Sequence, residues 1–335
     1  MRDQPIIAIA GATGVVGNEM LSVLEESKIP VGEVRLLASE DSRGEIYRFR
    51  GKEVYVEVLE ENSFEGVDLA LFATSAILSE KFVPIAVEHG AVAIDNSSHF
   101  RMQAGIPLVV PEVNAHLVTS KTRIIANPNC STIQLVPILK IIHAAAGLRR
   151  VVVSTYQSVS GAGKAALDEL WDQSLAIFNQ KEIVNEAFQH QIAFNCIPQI
   201  DVLLENGYTK EEYKIINESR KILDLPNLKI TATAVRVPVF VSHAESVNVE
   251  TEREMTPQAL IELLQTSKGI EVYPAATDYP MQIAVATSDT IHVGRIRQDE
   301  SVLHGLDLWI VADNVRKGAA LNAVQIAELI LSPAH

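Results

Sequence analysis

Short apolar blocks alternate with helix-length amphipathic stretches through the first third of the chain. Residues 5–10 form a compact apolar run of buried-strand type. The stretch after them, through about Glu26, sets Met20, Leu21 and Leu24 on one helical face. Residues 34–38, 67–73, 91–95 and 123–126 repeat the strand signal, and 77–88 reads as helix. Residues 45–49 and 53–59, joined near Gly51-Lys52, read as a hairpin. Strands alternating with helices predict a mostly parallel sheet covered on both faces, a Rossmann-type α/β domain.

The pattern then changes. Residues 148–159, 228–239 and 246–251 are long β-branched stretches, with helical segments at 164–179 and 211–223. Longer strands with helices on one side predict an α+β domain. Further strands are expected at 291–297 and 306–313, and an amphipathic helix at 315–331 behind Asp313-Asn314, good N-cap residues. Arg236 lies seven residues before His243, which follows the β-rich stretch. Alternation puts them on opposite faces unless Pro238 bends the chain. No internal repeat or low-complexity linker interrupts the sequence.

Composition bounds the function. A chain of 335 residues implies about two domains, and 47% hydrophobic with 21% charged residues is globular. A formal net charge of −14 argues against nucleic-acid and anionic-membrane partners, so an anionic ligand must be held by a few local cations. The two cysteines, Cys130 and Cys196, form no disulfide framework and suit a reducing compartment. The apolar N-terminal run is too short for a secretory signal and no run suits a membrane span, which together read as cytoplasmic. No metal-ligand spacing is present.

Two motifs carry chemistry. Gly11-Ala12-Thr13-Gly14-Val15-Val16-Gly17 lies between a strand and a helix, where a dinucleotide fold needs a tight turn and free helix N–H groups for pyrophosphate. No acidic residue ends the second strand at Ala38-Ser39, although Glu40 and Asp41 follow. Ser42 and Arg43 suit a 2′-phosphate, so NADP is expected, with NAD as the alternative. Asn127-Pro128-Asn129-Cys130-Ser131-Thr132 follows a strand and opens a long apolar helix closed by Gly147. With Asn129 as N-cap, Cys130 falls in the first turn, where the helix dipole favours a nucleophilic thiolate. Cys196, in apolar surroundings without a helix start, is expected to be buried packing.

These two motifs and the segment from Arg236 through Pro238 and His243 to Val247, in this order and spacing, resemble the aspartate-β-semialdehyde dehydrogenase family over essentially the whole chain. The resemblance implies His243 as the general base and Gln157 as the residue that orients the acyl group. It implies Arg101 and Lys214 for phosphate, Glu211 for the substrate ammonium, and Arg236 for its carboxylate. Glu212 and Lys210 leave the helix register of the Glu211–Lys214 pair open. Ser160 and Gly161 look like a second backbone approach to cofactor, and Asn314 starts a helix that the family returns to the nicotinamide. The expected domains are therefore 1–127 with 314–335 for NADP, and 128–313 for catalysis and homodimerisation. The implied reaction is NADP-dependent reductive dephosphorylation of aspartyl phosphate through a Cys130 thioester. An acetylglutamyl-phosphate reductase shares this chemistry but typically carries a Gly-Cys-Tyr-Pro type of motif. A short-chain reductase needs Tyr and Lys four apart, a spacing that this chain lacks. A silent NADP sensor would not need the set Cys130, Gln157, Arg236 and His243.

Overall fold

The computed structural model describes residues 2–331. The chain forms two compact units, one running through Asn129 and resuming at Ala319, the other spanning Cys130–Gly318.

The first unit contains β1 (Ile6–Ala10), α1 (Val15–Glu26), β2 (Glu33–Ala38), β3 (Ile46–Phe49), β4 (Lys52–Val58), β5 (Leu69–Phe72), α2 (Ala76–Glu88), β6 (Val92–Asp95), α3 (Pro111–Asn114) and β7 (Ile124–Ala126). The sheet order is β3-β4-β2-β1-β5-β6-β7, parallel except for the β3–β4 hairpin. Ile7, Ile9, Leu69, Leu71 and Ile94 are fully buried, as expected for strands covered on both faces. The chain moves outward from β1 to β2 and later returns to β1's other side with β5. That reversal is a topological switch point, and the glycine turn leaves β1 at it.

The second unit opens with α4 (Cys130–Ala146), followed by β8 (Leu148–Gln157), α5 (Lys164–Phe178), α6 (Lys210–Leu223), β9 (Lys229–Arg236), β10 (His243–Thr251), α7 (Pro257–Gln265), β11 (Ile270–Val272), β12 (Ile291–Asp299) and β13 (Gly305–Ala312). Its sheet runs β11-β12-β13-β10-β8-β9, with α4 packed on β8, β10 and β13.

The last helical stretch departs from expectation. Asp313 caps it, its Oδ1 accepting from the N–H groups of Val315 and Arg316 at 2.9 Å. Residues Arg316–Leu321 then form a π-helix before α8 (Asn322–Leu331). Ala323, Val324, Ile326 and Ala327 of α8 join the core of the first unit. Asn127 fixes this return: its amide donates to Ala319 O at 3.0 Å and accepts from Asn322 at 2.7 Å.

Candidate active site

Cys130 is the first residue of α4 and is half-buried. Strand pairing brings the other groups to its end of the unit. Gly147, at φ +74°, ends α4 and turns the chain into β8, so the helix and that strand run oppositely. β10 is antiparallel to β8 and therefore runs alongside α4. The far ends are tied: Glu252 N–H donates to Gly147 O and Arg253 N–H to Ala146 O, both at 3.0 Å. From Gly147 the helix runs about 26 Å back to Cys130, and from Glu252 the strand runs about 30 Å back to His243. Matched lengths place both residues at the same end.

The sheet completes the row. Gln157 is paired with Arg236 on β9 and with His243 on β10, so three chemically active residues lie side by side on adjacent strands. A break in the strand does intervene between 236 and 243. Arg236 ends β9, the intervening loop passes over β8, and His243 begins β10 on its far side. Alternation along a single strand never applied to them.

Ser158 links the row. Its N–H donates to His243 Nδ1 at 3.1 Å, and its carbonyl accepts from Arg236 Nη1 at 2.7 Å. An amide N–H can only donate, so Nδ1 presents its lone pair and the neutral ring carries its proton on Nε2. His243 is fully buried; that burial, reinforced by the Arg236 charge, pushes its pKa down to about 3. Gly161 lies against the same ring. A Cβ there would stand 3.1 Å from Arg236 Nη1 and 3.2 Å from His243 Nε2, so any larger residue would crowd both groups. Ser160 and Asn314 belong to this network too. Asn314 Oδ1 accepts from the Ser158 and Ser160 hydroxyls at 3.1 and 3.2 Å and from Ser242 N–H at 2.9 Å.

Gln157 is held by both ends of its amide. Thr155 Oγ1 donates to its oxygen at 3.2 Å, and its nitrogen donates to Glu211 Oε1 at 3.1 Å. The other Glu211 oxygen accepts from Lys214 at 3.0 Å, and Asp201 binds Lys214 at 2.8 Å. Burial opposes charge on Lys214, but Glu211 and Asp201 outweigh it and hold its pKa above the usual value. The helix register left open above is thereby decided. Glu212 is committed to its own helix start, accepting from Thr209 N–H at 2.7 Å, and to β9 through Ala234 N–H at 3.0 Å. Arg236 is buried within electrostatic reach of Glu211 and Cys130; burial lowers its pKa against their charges. A Cβ on Gly318, in the π-helix, would meet the Cys130 Cβ at 3.0 Å.

In the first unit, Gly11 has φ +82°, and a Cβ there would lie 2.5 Å from Ala73 O. A Cβ on Gly17 would collide with Gly11 O, while no side chain caps α1 behind Gly14. These are the features of a backbone cradle for an anion. Ser42 donates to Thr13 Oγ1 at 3.3 Å, and Arg43 pairs with Glu40 at 3.2 Å. Arg43 also lines a cavity of about 320 Å³ with Arg35, Glu57, Glu60, Asn62 and Ser63. Arg101 is buried in this unit and donates to Asn96 O at 2.8 Å.

Residues 6–121 match the family model "Semialdehyde dehydrogenase, NAD binding domain", and 139–317 match "Semialdehyde dehydrogenase, dimerisation domain". The chain is 52% identical to aspartate-semialdehyde dehydrogenase 2 of Vibrio cholerae over 99% of both chains. It is 51% identical to aspartate-semialdehyde dehydrogenase of Aquifex aeolicus over 97% of each. The crystal structure of the Vibrio cholerae aspartate semialdehyde dehydrogenase II complexed with ASA superposes with a TM-score of 0.96 at 51% identity, covering 98% of this chain and 99% of that one. The chain belongs to the aspartate-semialdehyde dehydrogenase family. Membership makes it an oxidoreductase of amino-acid biosynthesis with a nicotinamide-dinucleotide domain and a dimerisation domain.

Within this family member the second unit gathers Cys130, Gln157, Glu211, Lys214, Arg236 and His243, with Ser160, Gly161 and Asn314 around the imidazole. Gly11, Thr13, Gly14, Val15, Val16, Gly17, Ser42, Arg43 and Arg101 belong to the first unit. Ser158, Asp201 and Ser242 went unread in the sequence, because nothing local marks a serine whose backbone serves two side chains. Cys196 contradicts its expected burial. It is exposed, in a loop where Asn195 Oδ1 accepts its N–H at 2.9 Å, so its apolar neighbours in sequence are not its neighbours in space.

Proposed function

We propose that this protein carries out NADP-dependent reductive dephosphorylation of L-4-aspartyl phosphate to L-aspartate-4-semialdehyde, reversibly, through a thioester on Cys130. One observation carries the reading: the row Arg236–Gln157–His243 at the end of the unit where α4 begins with Cys130. The Vibrio cholerae relative solved with ASA supports the substrate class.

The residues divide the work by charge. Arg236 binds the substrate α-carboxylate through its guanidinium fork, and Glu211 takes the ammonium. Lys214, kept charged by two carboxylates, and Arg101 receive the departing phosphate. Thiolate sulfur attacks the acyl carbon, forming the C–S bond; the C–O bond to phosphate breaks and phosphate leaves with that electron pair. Gln157, its amide oriented by Thr155 and Glu211, directs the acyl group. His243 enters as a hydrogen-bond donor, because its Nε2 holds the proton; it stabilises the oxyanion formed at each addition. The thiol was expected to lose its proton to this imidazole. The hydrogen bond at Nδ1 instead favours a thiolate sustained by the helix terminus and Arg236.

The cofactor's contribution is the hydride that reduces the thioester. Gly11, Gly14 and Gly17, with the first-turn N–H groups of Val15 and Val16 and the Thr13 side chain, fit its pyrophosphate. Ser42 and Arg43 fit a 2′-phosphate, which favours NADP over NAD. A homodimer also fits, since the second unit exposes Tyr156, Tyr279, Met281 and Ile283 beside Trp309. A cytoplasmic location suits a chain whose two cysteines form no disulfide. Formation of NADPH from aspartate semialdehyde and phosphate, repeated with NAD, tests the reading. Absence of both reduced cofactors would overturn the reaction, and equal rates would overturn the cofactor preference.

A further inference from the structure

Glu245 is buried to 0% exposure, and the side chain that reaches its carboxyl is Gln134. Gln134 is equally buried, and neither side chain has another hydrogen-bond partner among the described residues. Isolated polar groups in a core cost free energy unless something pairs them. The two side chains lie within mutual influence, Gln134 being the neighbour that favours charge on Glu245.

Their positions in the sequence are informative. Gln134 is four residues after Cys130, on the same face of α4, about 6 Å down the helix axis. Glu245 is two residues after His243, on the same face of β10, about 6.6 Å along the strand. Helix and strand run in the same direction, so the pair Gln134–Glu245 sits one level beneath the pair Cys130–His243. That level continues across the sheet: Glu245 is paired with Thr155, which itself orients Gln157. No residue of this lower level is needed to touch substrate.

We propose that Glu245 and Gln134 form a buried polar latch that registers the first turn of α4 against β10 and so holds Cys130 and His243 in reacting alignment. They are positioning residues, and the proposal rests on the reading of Cys130 as the nucleophile. A carboxylic acid and a primary amide make two complementary hydrogen bonds, O–H to the amide oxygen and amide N–H to the carboxyl oxygen. Burial pushes the Glu245 carboxyl well above its ordinary range, which is the protonation state this pairing requires.

The test uses Glu245→Leu, Gln134→Leu and the exchange Glu245→Gln with Gln134→Glu in the full-length protein. Each leucine variant removes the latch and should lower kcat about tenfold or more, with KM changed about twofold at most, since small misplacements of reacting groups are costly. The rate at which iodoacetamide alkylates Cys130, read by mass spectrometry, should fall in the same variants, and the pH profile of that rate should move. The exchange variant keeps one acid and one amide and should recover to within about threefold of wild type. Leucine variants with wild-type turnover and alkylation would overturn the latch. Where they fail to fold, a folded exchange variant decides: wild-type-like kcat supports the proposal, and a collapsed kcat overturns it. Alkylation needs no turnover, and the wild-type assay is separate, so failure of the latch is distinguishable from failure of the proposed reaction.

Discussion

The two chemically active regions are built on opposite plans. In the first unit the glycine turn is local: seven consecutive residues, backbone conformation and close approach supply nearly everything. In the second unit the row of Arg236, Gln157 and His243 is assembled by sheet register from three strands, with Cys130 delivered by a helix that begins at their level. A backbone cradle fails when atoms are added to it. A side-chain row fails when one group is removed or its level shifts. The comparison therefore predicts two separable kinds of lesion.

The largest effect should follow removal of the sulfur. Cys130→Ser leaves α4 and the row intact but offers an alcohol far less acidic than a thiol, so kcat should fall by about 10³-fold or more. Thermal stability and substrate binding, followed by calorimetry, should remain near wild type. Retained turnover would end the covalent scheme. A lesion of the other kind is Gly17→Ala. Its methyl group would collide with the Gly11 carbonyl, so α1 must shift, costing about 1–3 kcal/mol of stability. The KM for cofactor should rise about tenfold, while alkylation of Cys130 keeps its wild-type rate. If alkylation slowed in step with cofactor binding, the two regions would not be independent.

The same contrast explains what was legible in the sequence. The glycine turn, the parallel first sheet and a cysteine at a helix start were readable, because each is a pattern of consecutive residues with a local physical meaning. The row was readable only in its members. Their arrangement depends on β8 standing between β9 and β10, a pairing that no periodicity reveals; between Arg236 and His243 only the break near Pro238 was readable. Ser158 escaped notice because its contribution is its backbone N–H and C=O. Cys196 was misplaced because apolar sequence neighbours were taken to be spatial ones. The π-helix at Arg316–Leu321 had no sequence signal beyond a run of small residues, yet it sets Gly318 against Cys130.

A smaller effect sharpens the cofactor side. Among the described residues, exposed Arg43 is ion-paired with Glu40 alone, a contact of little energetic weight, so it is available to a phosphate. Arg43→Ala should weaken NADPH binding about tenfold and leave NADH binding unchanged, as measured by fluorescence titration. Equal losses for the two cofactors would assign Arg43 a structural task instead.

The last effect is one of pH, gradual at any one pH, and it compares two residues within the row's own strand. His243 and Glu245 are both buried and both held neutral, but the signs of their linkage are opposite. The His243 pKa falls from the ordinary 6.5 to about 3 in the fold, depressed by burial and Arg236, with the Ser242 backbone and Glu211 acting in the other direction. Between those values the unfolded chain binds a proton that the native ring refuses. Stability present above pH 6.5 is therefore lost as pH falls toward 3, by at most about 1.4 kcal/mol per pH unit. The Glu245 carboxyl is raised from 4.5 by burial, so its contribution is complete below 4.5 and is lost as pH rises toward its native value. Melting temperatures recorded across this range should flatten on the acid side for His243→Gln and on the alkaline side for Glu245→Gln. Curves parallel to wild type in both variants would mean that neither group is kept neutral by the fold, and the donor role of His243 would lose its physical basis.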